Sequence, residues 1–242
     1  MSRGVNDYDA ARIQGRNVSN ANSYSIVSPG PVTDGLVLYL DAGNYVSYPT
    51  TGTEWVDLSI IRNNGVLTNG PTYSAQNGGS IVFDGSNDYI NCGNLLAYQL
   101  ATQVTVEAWV NPTNNAGQGN IIQKDQNFGY RCRITSANAF WLFSNSNSIS
   151  GGSCPTGSWS HVTGVFGPAG LRAYVNGALV ASNSTAYSPG GLVNSLPLEV
   201  GRYATGNEVF NGRIAIAKVY NRVLNAMEVQ QNFNALRARF DV

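Results

Sequence analysis

Charge is scarce in this chain. Only 12% of its 242 residues are Asp, Glu, Lys or Arg, and fourteen basic side chains cancel fourteen acidic ones to a formal net charge of +0. Without a basic excess there is no electrostatic drive for wholesale binding to nucleic acid or to an anionic membrane surface. No apolar run approaches the ~18 residues that a membrane-crossing helix needs, so membrane insertion is not expected. The opening stretch "MSRGVNDYDAARIQGRNVSNANS" has no apolar core of a secretory leader. Histidine is nearly absent: His161 is the only one, in "WSHV", where a structural role in a core strand is the expectation. The three cysteines, Cys92, Cys132 and Cys154, match no zinc spacing. They read either as free thiols or as one disulfide plus a free thiol.

What is present in abundance is Gly, Asn and Ser, and their distribution divides the chain. Residues 1–34 are polar and Gly/Asn/Ser-rich, with neither helical nor strand period, and end on the breaker "SPGPVTDG". Such a segment cannot bury enough surface to fold alone. It is either a disordered tail or an extended arm that orders on a neighbour. Scattered Val5, Ile13, Val18 and Ile26, with Arg3, Arg12 and Arg16 between them, suit anchoring in grooves of a scaffold.

From residue 35 the pattern becomes short β runs parted by turn residues. "LVLYLD" (36–41) is apolar nearly throughout, as in a strand covered on both faces. "VTVEAWV" (104–110) alternates, with Val104, Val106, Ala108 and Val110 on one face and Thr105, Glu107 and Trp109 on the other. Asn176-Gly177 between two β runs predicts a type I′ hairpin. In "IVFDGSNDYINCG" (81–93), Ile81 and Phe83 are expected in the core, Asp84-Gly85 at a bend, and Tyr89 and Asn91 on the returning strand of a hairpin. Roughly a dozen such runs predict an all-β antiparallel two-sheet sandwich over 35–224. One helix is expected over 225–240, with Asn225 and Glu228 as a capping box. Val229, Phe233 and Leu236 would form its packing stripe, and Arg237 and Arg239 lie in its last turn.

Four phrases together, "GSIVFDGSNDYI", "VTVEAWVNPT", "WSHVTGVFGPAGLRAYVNGALVAS" and "FNGRIAIAKVYNRVLNAMEV", resemble the laminin-G-like, concanavalin A-like jelly-roll family, in the right order over about residues 35–232. The stretch "GLVLYLDAGNYVSYPTTGTEWVDLSIIRNNGVLTNGPTYS" is similar to openings of this domain in virion structural proteins of tailed phages, notably those of cyanobacteria.

The family resemblance implies three chemistries to weigh. Members often hold calcium through Asp, amide and carbonyl oxygens, which suits a hard cation. The candidates here are Asp41, Asp84, Asp88 and Asn91, against the alternative that Asp84 and Asp88 only build a turn. Where many relatives place an Asp near the last strand, "GRIAIAK" has Ala215, which counts against calcium. Related β-glucanases carry Glu-x-Asp-x-Glu on one strand; that motif is missing and Glu54, Glu107, Glu199, Glu208 and Glu228 stand apart, so catalysis is not expected. Sugar binding would use rings near turns, and Tyr45, Tyr48, Trp55, Trp141 and Tyr203 are the candidates.

The combined expectation is a non-enzymatic virion protein, a capsid decoration or head-fibre-like subunit. Residues 1–34 would dock it on other virion proteins of the capsid or tail, with copies of the chain as further neighbours. Alternatives are a tail-fibre or baseplate adhesin for host surface glycans, and an exported bacterial carbohydrate-binding module.

Overall fold

The computed structural model describes residues 29–95, 102–114, 118–124, 129–144, 147–187, 196–203 and 208–242. The arm candidates Arg3, Val5, Arg12, Ile13, Arg16, Val18 and Ile26 lie outside the described residues. Among the described residues there are sixteen strands and one α-helix. Two antiparallel sheets of eight strands each are stacked as a sandwich. The back sheet holds β1 (Leu36–Asp41), β4 (Thr72–Ser74), β5 (Ser80–Asp84), β7 (Val104–Pro112), β12 (Ser160–Gly167), β13 (Gly170–Val175), β14 (Ala178–Ser182) and β16 (Asn211–Tyr220). The front sheet holds β2 (Glu54–Trp55), β3 (Gly65–Thr68), β6 (Tyr89–Asn91), β8 (Gly119–Lys124), β9 (Tyr130–Ile134), β10 (Phe140–Ser144), β11 (Asn147–Gly151) and β15 (Leu198–Val200).

The alternation in β7 sorts its residues as the period of two requires. Val104, Val106, Ala108 and Val110 enter the core between the sheets, while Trp109 joins a separate cluster on the outer side of the back sheet. Strand β16 is the hinge of the back sheet. One edge pairs with β7, while the other is shared by β5, along residues 211–214, and β1, along residues 216–220. The register with β7 shifts between Ile214 and Ile216, a bulge that holds Ala215. The Asn176-Gly177 turn between β13 and β14 has positive φ at both residues, 50° and 77°, as a type I′ turn demands. The expected hairpin at 81–93 is different. Ile81 and Phe83 are in the core as predicted, but β5 and β6 belong to different sheets. The Asp84-Gly85 bend therefore carries the chain across the sandwich; local turn chemistry cannot distinguish that crossing from a hairpin.

Helix α1 (Ala226–Leu236) starts on the predicted capping box, with the Asn225 side chain accepting from the Met227 and Glu228 amides. A 3₁₀ turn over Arg237–Phe240 follows it. The helix covers the outer side of the back sheet. Phe240 stacks on Trp109 at 4.1 Å between ring centroids, and Phe233 lies over the same ring at 5.9 Å. This cover is why β1 is apolar on both faces. The residues leading into β1 are held there too. Val32 is buried against Tyr220, Leu224 and Val229, and its amide donates to Asn232 Oδ1 at 2.7 Å. The packed body thus begins ahead of residue 35.

Beneath the helix sits a buried ionic network. Glu107 Oε1 accepts from Lys218 Nζ at 2.9 Å and lies 3.3 Å from His161 Nε2. Its Oε2 accepts from Asn232 Nδ2 at 2.6 Å. Burial alone would raise the Glu107 carboxyl; Lys218 and then His161 outweigh it and pull it from 4.5 down to about 2. A depressed folded-state value means that the network stabilises fully above about pH 4.5 and loses that contribution as pH falls toward about 2. Glu107→Gln leaves Lys218 without its buried anion. Urea unfolding at neutral pH is expected to show a loss of about 3–5 kcal/mol, and the variant should lack much of the wild-type decline in stability over that acid range.

Candidate functional site

The outer side of the front sheet is built by strict alternation. In β9, Tyr130, Cys132 and Ile134 point into the core, which leaves Arg131 and Arg133 outward; in β10, Phe140 and Leu142 go in, leaving Trp141 and Phe143 out. Register then aligns one residue from each strand. Ser148, Phe143, Arg131, Gln123, Glu199, Asn91, Val66 and Glu54 stand opposite one another in sequence across the sheet. Trp141 and Arg133 form a second, shorter row beside it.

Arginines and rings interleave on this face. The Arg131 guanidinium lies 4.4 Å from the Tyr203 ring, 4.9 Å from Trp141 and 5.3 Å from Phe143. Arg133 covers Trp141 at 4.0 Å, and Arg202 covers Tyr89 at 3.2 Å. Glu208 pairs with both arginines of β9, at 2.6 Å to Arg133 and 3.5 Å to Arg131. Glu199 pairs with Arg202 at 2.6 Å and also accepts from Gln123 at 3.1 Å. Several polar atoms here are buried without a hydrogen-bond partner among the described residues: Gln123 Oε1, Arg131 Nε, Arg133 Nε and the carboxylate oxygen Glu208 Oε2. Burial pushes the Arg131 guanidinium down, Glu208 opposes this, and Arg133 reinforces it.

Of the five ring candidates for sugar contact, Trp141 and Tyr203 are brought together by Arg131. Tyr45 is exposed on the loop after β1. Tyr48 and Trp55 are buried in the core, Tyr48 against Tyr73, so neither ring offers a face to a ligand. Proximity to turns had marked them, but the alternation of β2 turns Trp55 inward. Arg131, Arg133, Phe143, Gln123, Glu199 and Glu208 were missed. Their signal is the alternation of "YRCRIT" and "AFWLFS", which puts charge and rings on one side of adjacent strands.

The four calcium candidates do not converge. Asp84 Oδ1 accepts from the Ser86 amide and Asp88 Oδ2 from the Asp84 amide, which builds the bend. Asn91 Oδ1 accepts from the Gly93 amide. Asp41 faces the outer side of the back sheet, where Arg239 meets three oxygens: Asp41 Oδ1 at 2.7 Å, Asn77 O at 3.0 Å and Gly79 O at 2.7 Å. The approach is close enough that a Cβ on Gly43 would lie 2.4 Å from Arg239 Nη2. Ala215 is buried beneath Phe240 in the adjoining aromatic cluster. Among the described residues no group of three or more His, Cys, Asp or Glu side chains is placed to hold a metal ion. The glutamates are likewise dispersed: Glu107 serves the buried network, Glu228 pairs with Arg222, and Glu54 accepts from Asn64. All three cysteines are free and buried, and burial pushes the thiols of Cys132 and Cys154 up to about 12.

A concavity of about 560 Å³ lies beside β1 between Thr33, Leu36, Val37, Leu58 and Ile61. Ile60 stands out on its rim, 91% exposed. No helix among the described residues is long and apolar enough to cross a membrane.

Two antiparallel sheets, one backed by a helix and the other displaying rings and charges, define a lectin-type jelly roll. Residues 84–230 match the family model of the concanavalin A-like lectin/glucanases superfamily, and the chain belongs to that family. Among solved structures it is similar to the binding domain of Paraclostridial Mosquitocidal Protein 1, with 17% identity, TM-score 0.66, and coverage of 83% of this chain and 52% of that one. It is similar to domain 4 of AbnA, an extracellular arabinanase from Geobacillus stearothermophilus in complex with arabinotriose, with 17% identity, TM-score 0.65, and coverage of 83% and 99%. A third is the binding domain of Botulinum neurotoxin DC in complex with rat synaptotagmin II, with 14% identity, TM-score 0.63, and coverage of 85% and 52%. The chain thus spans about half of the two toxin chains. At these identities the likeness is one of fold. No curated protein matches the chain by sequence.

The Arg239 contacts yield a direct test. Arg239→Ala strips the cation from one carboxylate and two carbonyls and is expected to cost about 3 kcal/mol in urea unfolding. In the wild type, neither ~5 mM calcium nor a chelator should move the melting temperature, since a hard-cation site needs oxygens that this guanidinium already holds.

Proposed function

We propose that this chain is a non-enzymatic, lectin-like display module of a phage particle, docked from its back side and binding saccharide with its front sheet. The observation that carries the proposal is two-sidedness. The chain enters the body at residues 30–34 on the helix-covered back. There Gln231 Nε2 donates to Gly30 O at 2.7 Å, Tyr220 Oη donates to Val32 O at 3.1 Å, and Arg222 bridges Asp34 to Glu228. The ring-and-arginine platform occupies the opposite side of the sandwich. A segment entering from the back can tether the body to a capsid or tail scaffold and leave the platform turned outward.

Support for a binding role is of three kinds. The family is one of lectins and glucanases. One structural neighbour is in complex with arabinotriose and another with rat synaptotagmin II. The five glutamates are each engaged with a different partner in place of being paired across a cleft, the arrangement that glycoside hydrolysis uses. The particle setting rests on the resemblance of residues 35–74 to openings of tailed-phage structural proteins. Within that setting, the platform favours a host-surface adhesin as the second reading over a passive decoration.

Docking is tested by deleting residues 2–28, a cut that keeps the packed lead-in. The shortened chain is expected to melt at the same temperature as the full chain but to be missing from density-purified virions. Normal incorporation would overturn the docking role of this segment.

A further inference from the structure

Around Arg131 and Arg133 the charges do not match one to one, and that local imbalance bears on what the platform binds. Two guanidiniums, Arg131 and Arg133, share the single carboxylate of Glu208, whereas Glu199 and Arg202 pair one to one. The two arginines are largely removed from solvent, with side chains only 11% and 15% exposed. The Nε–H of each is buried and lacks an acceptor among the described residues. Orphaned charged donors are among the more costly groups to bury. Rings flank both: Tyr203 and Phe143 beside Arg131, and Trp141 against both arginines.

We infer that the platform selects acidic saccharides, in which a carboxylate or sulfate completes the Arg131–Arg133 pair while the apolar face of the sugar ring lies on the neighbouring aromatics. The inference rests on the saccharide-binding reading above and narrows it to a ligand class. A neutral sugar can use the rings but leaves the excess positive charge unanswered. A bare inorganic anion can answer the charge but gains nothing from Trp141, Phe143 and Tyr203. An acidic sugar does both, through charge-assisted hydrogen bonds to arginine and apolar contact with a ring.

The test is calorimetric titration of the full chain with digalacturonate, sialyllactose and galactose 6-sulfate, against digalactose, lactose and galactose as neutral counterparts. Inorganic sulfate is the remaining arm. At least one acidic sugar is expected to bind about tenfold or more tightly than its neutral counterpart and than sulfate. That preference should shrink severalfold between ~0.05 and ~0.5 M salt. The carboxylate and sulfate arms separate the two sources of charge. Arg133→Gln is expected to abolish the preference while leaving the melting curve cooperative. Should that variant fail to fold, the acidic-to-neutral ratio and its salt dependence in the wild type still decide. Equal binding of acidic and neutral sugars would overturn this inference and leave saccharide binding standing; no binding of any sugar would overturn both.

Discussion

The buried carboxylate of Glu107 is the constraint around which the back of the molecule is organised. It stands at the centre of β7, and its two oxygens are used by three elements: Lys218 from β16, His161 from β12 and Asn232 from the helix. Asn232 then accepts from the Val32 amide, so the network also fixes the residues leading into β1. A charge in such a place is tolerated only if its partners are all present. That condition couples the helix, the sheet and the lead-in into one unit. It also specifies how α1 lies, because apolar contact between Phe233, Phe240 and Trp109 is non-directional and would permit other seatings.

Arg239 performs a second tie of the same kind. Three oxygens from two separate segments, the end of β1 and the turn around residues 76–79, converge on its guanidinium. A hard cation could draw such oxygens together, but here the cation is covalently part of the chain. The requirement passes from an ion in solution to the correct placement of the last turn. This agrees with Ala215, which is small and apolar beneath Phe240, where the neighbouring cluster is aromatic.

Local patterns in the sequence carried much of the fold. The alternation of residues 104–110, the capping box at Asn225 and Glu228 and the Asn176-Gly177 turn are each decided by neighbours within a few positions, and the structure has all three. What was not legible depends on partners far along the chain. Whether β5 turns back on β6 or crosses to the other sheet depends on β16 and β3, not on the Asp84-Gly85 bend. Asp41 looked like a metal ligand because its partner Arg239 lies 198 residues away. The platform was half visible: Trp141 and Tyr203 stood out as rings. Arg131, Gln123 and Glu199 join them only through the registers of β8, β9, β10 and β15.

The two outer faces show why the front one is the binding side. Both carry charged residues on alternating positions, and both leave polar atoms unpartnered among the described residues. On the back these include the indole nitrogens Trp109 Nε1 and Trp159 Nε1, beneath the Phe240 ring. The carboxylates of Glu107 and Asp41 there have both oxygens engaged. On the front they include donors of two guanidiniums that outnumber their carboxylate. A neutral orphan sealed under a helix is a modest local cost, whereas unanswered charge beside half-exposed rings is a cost that an external anion can remove. The difference between the faces is thus one of charge left open, and it is largest where Arg131 and Arg133 meet Trp141.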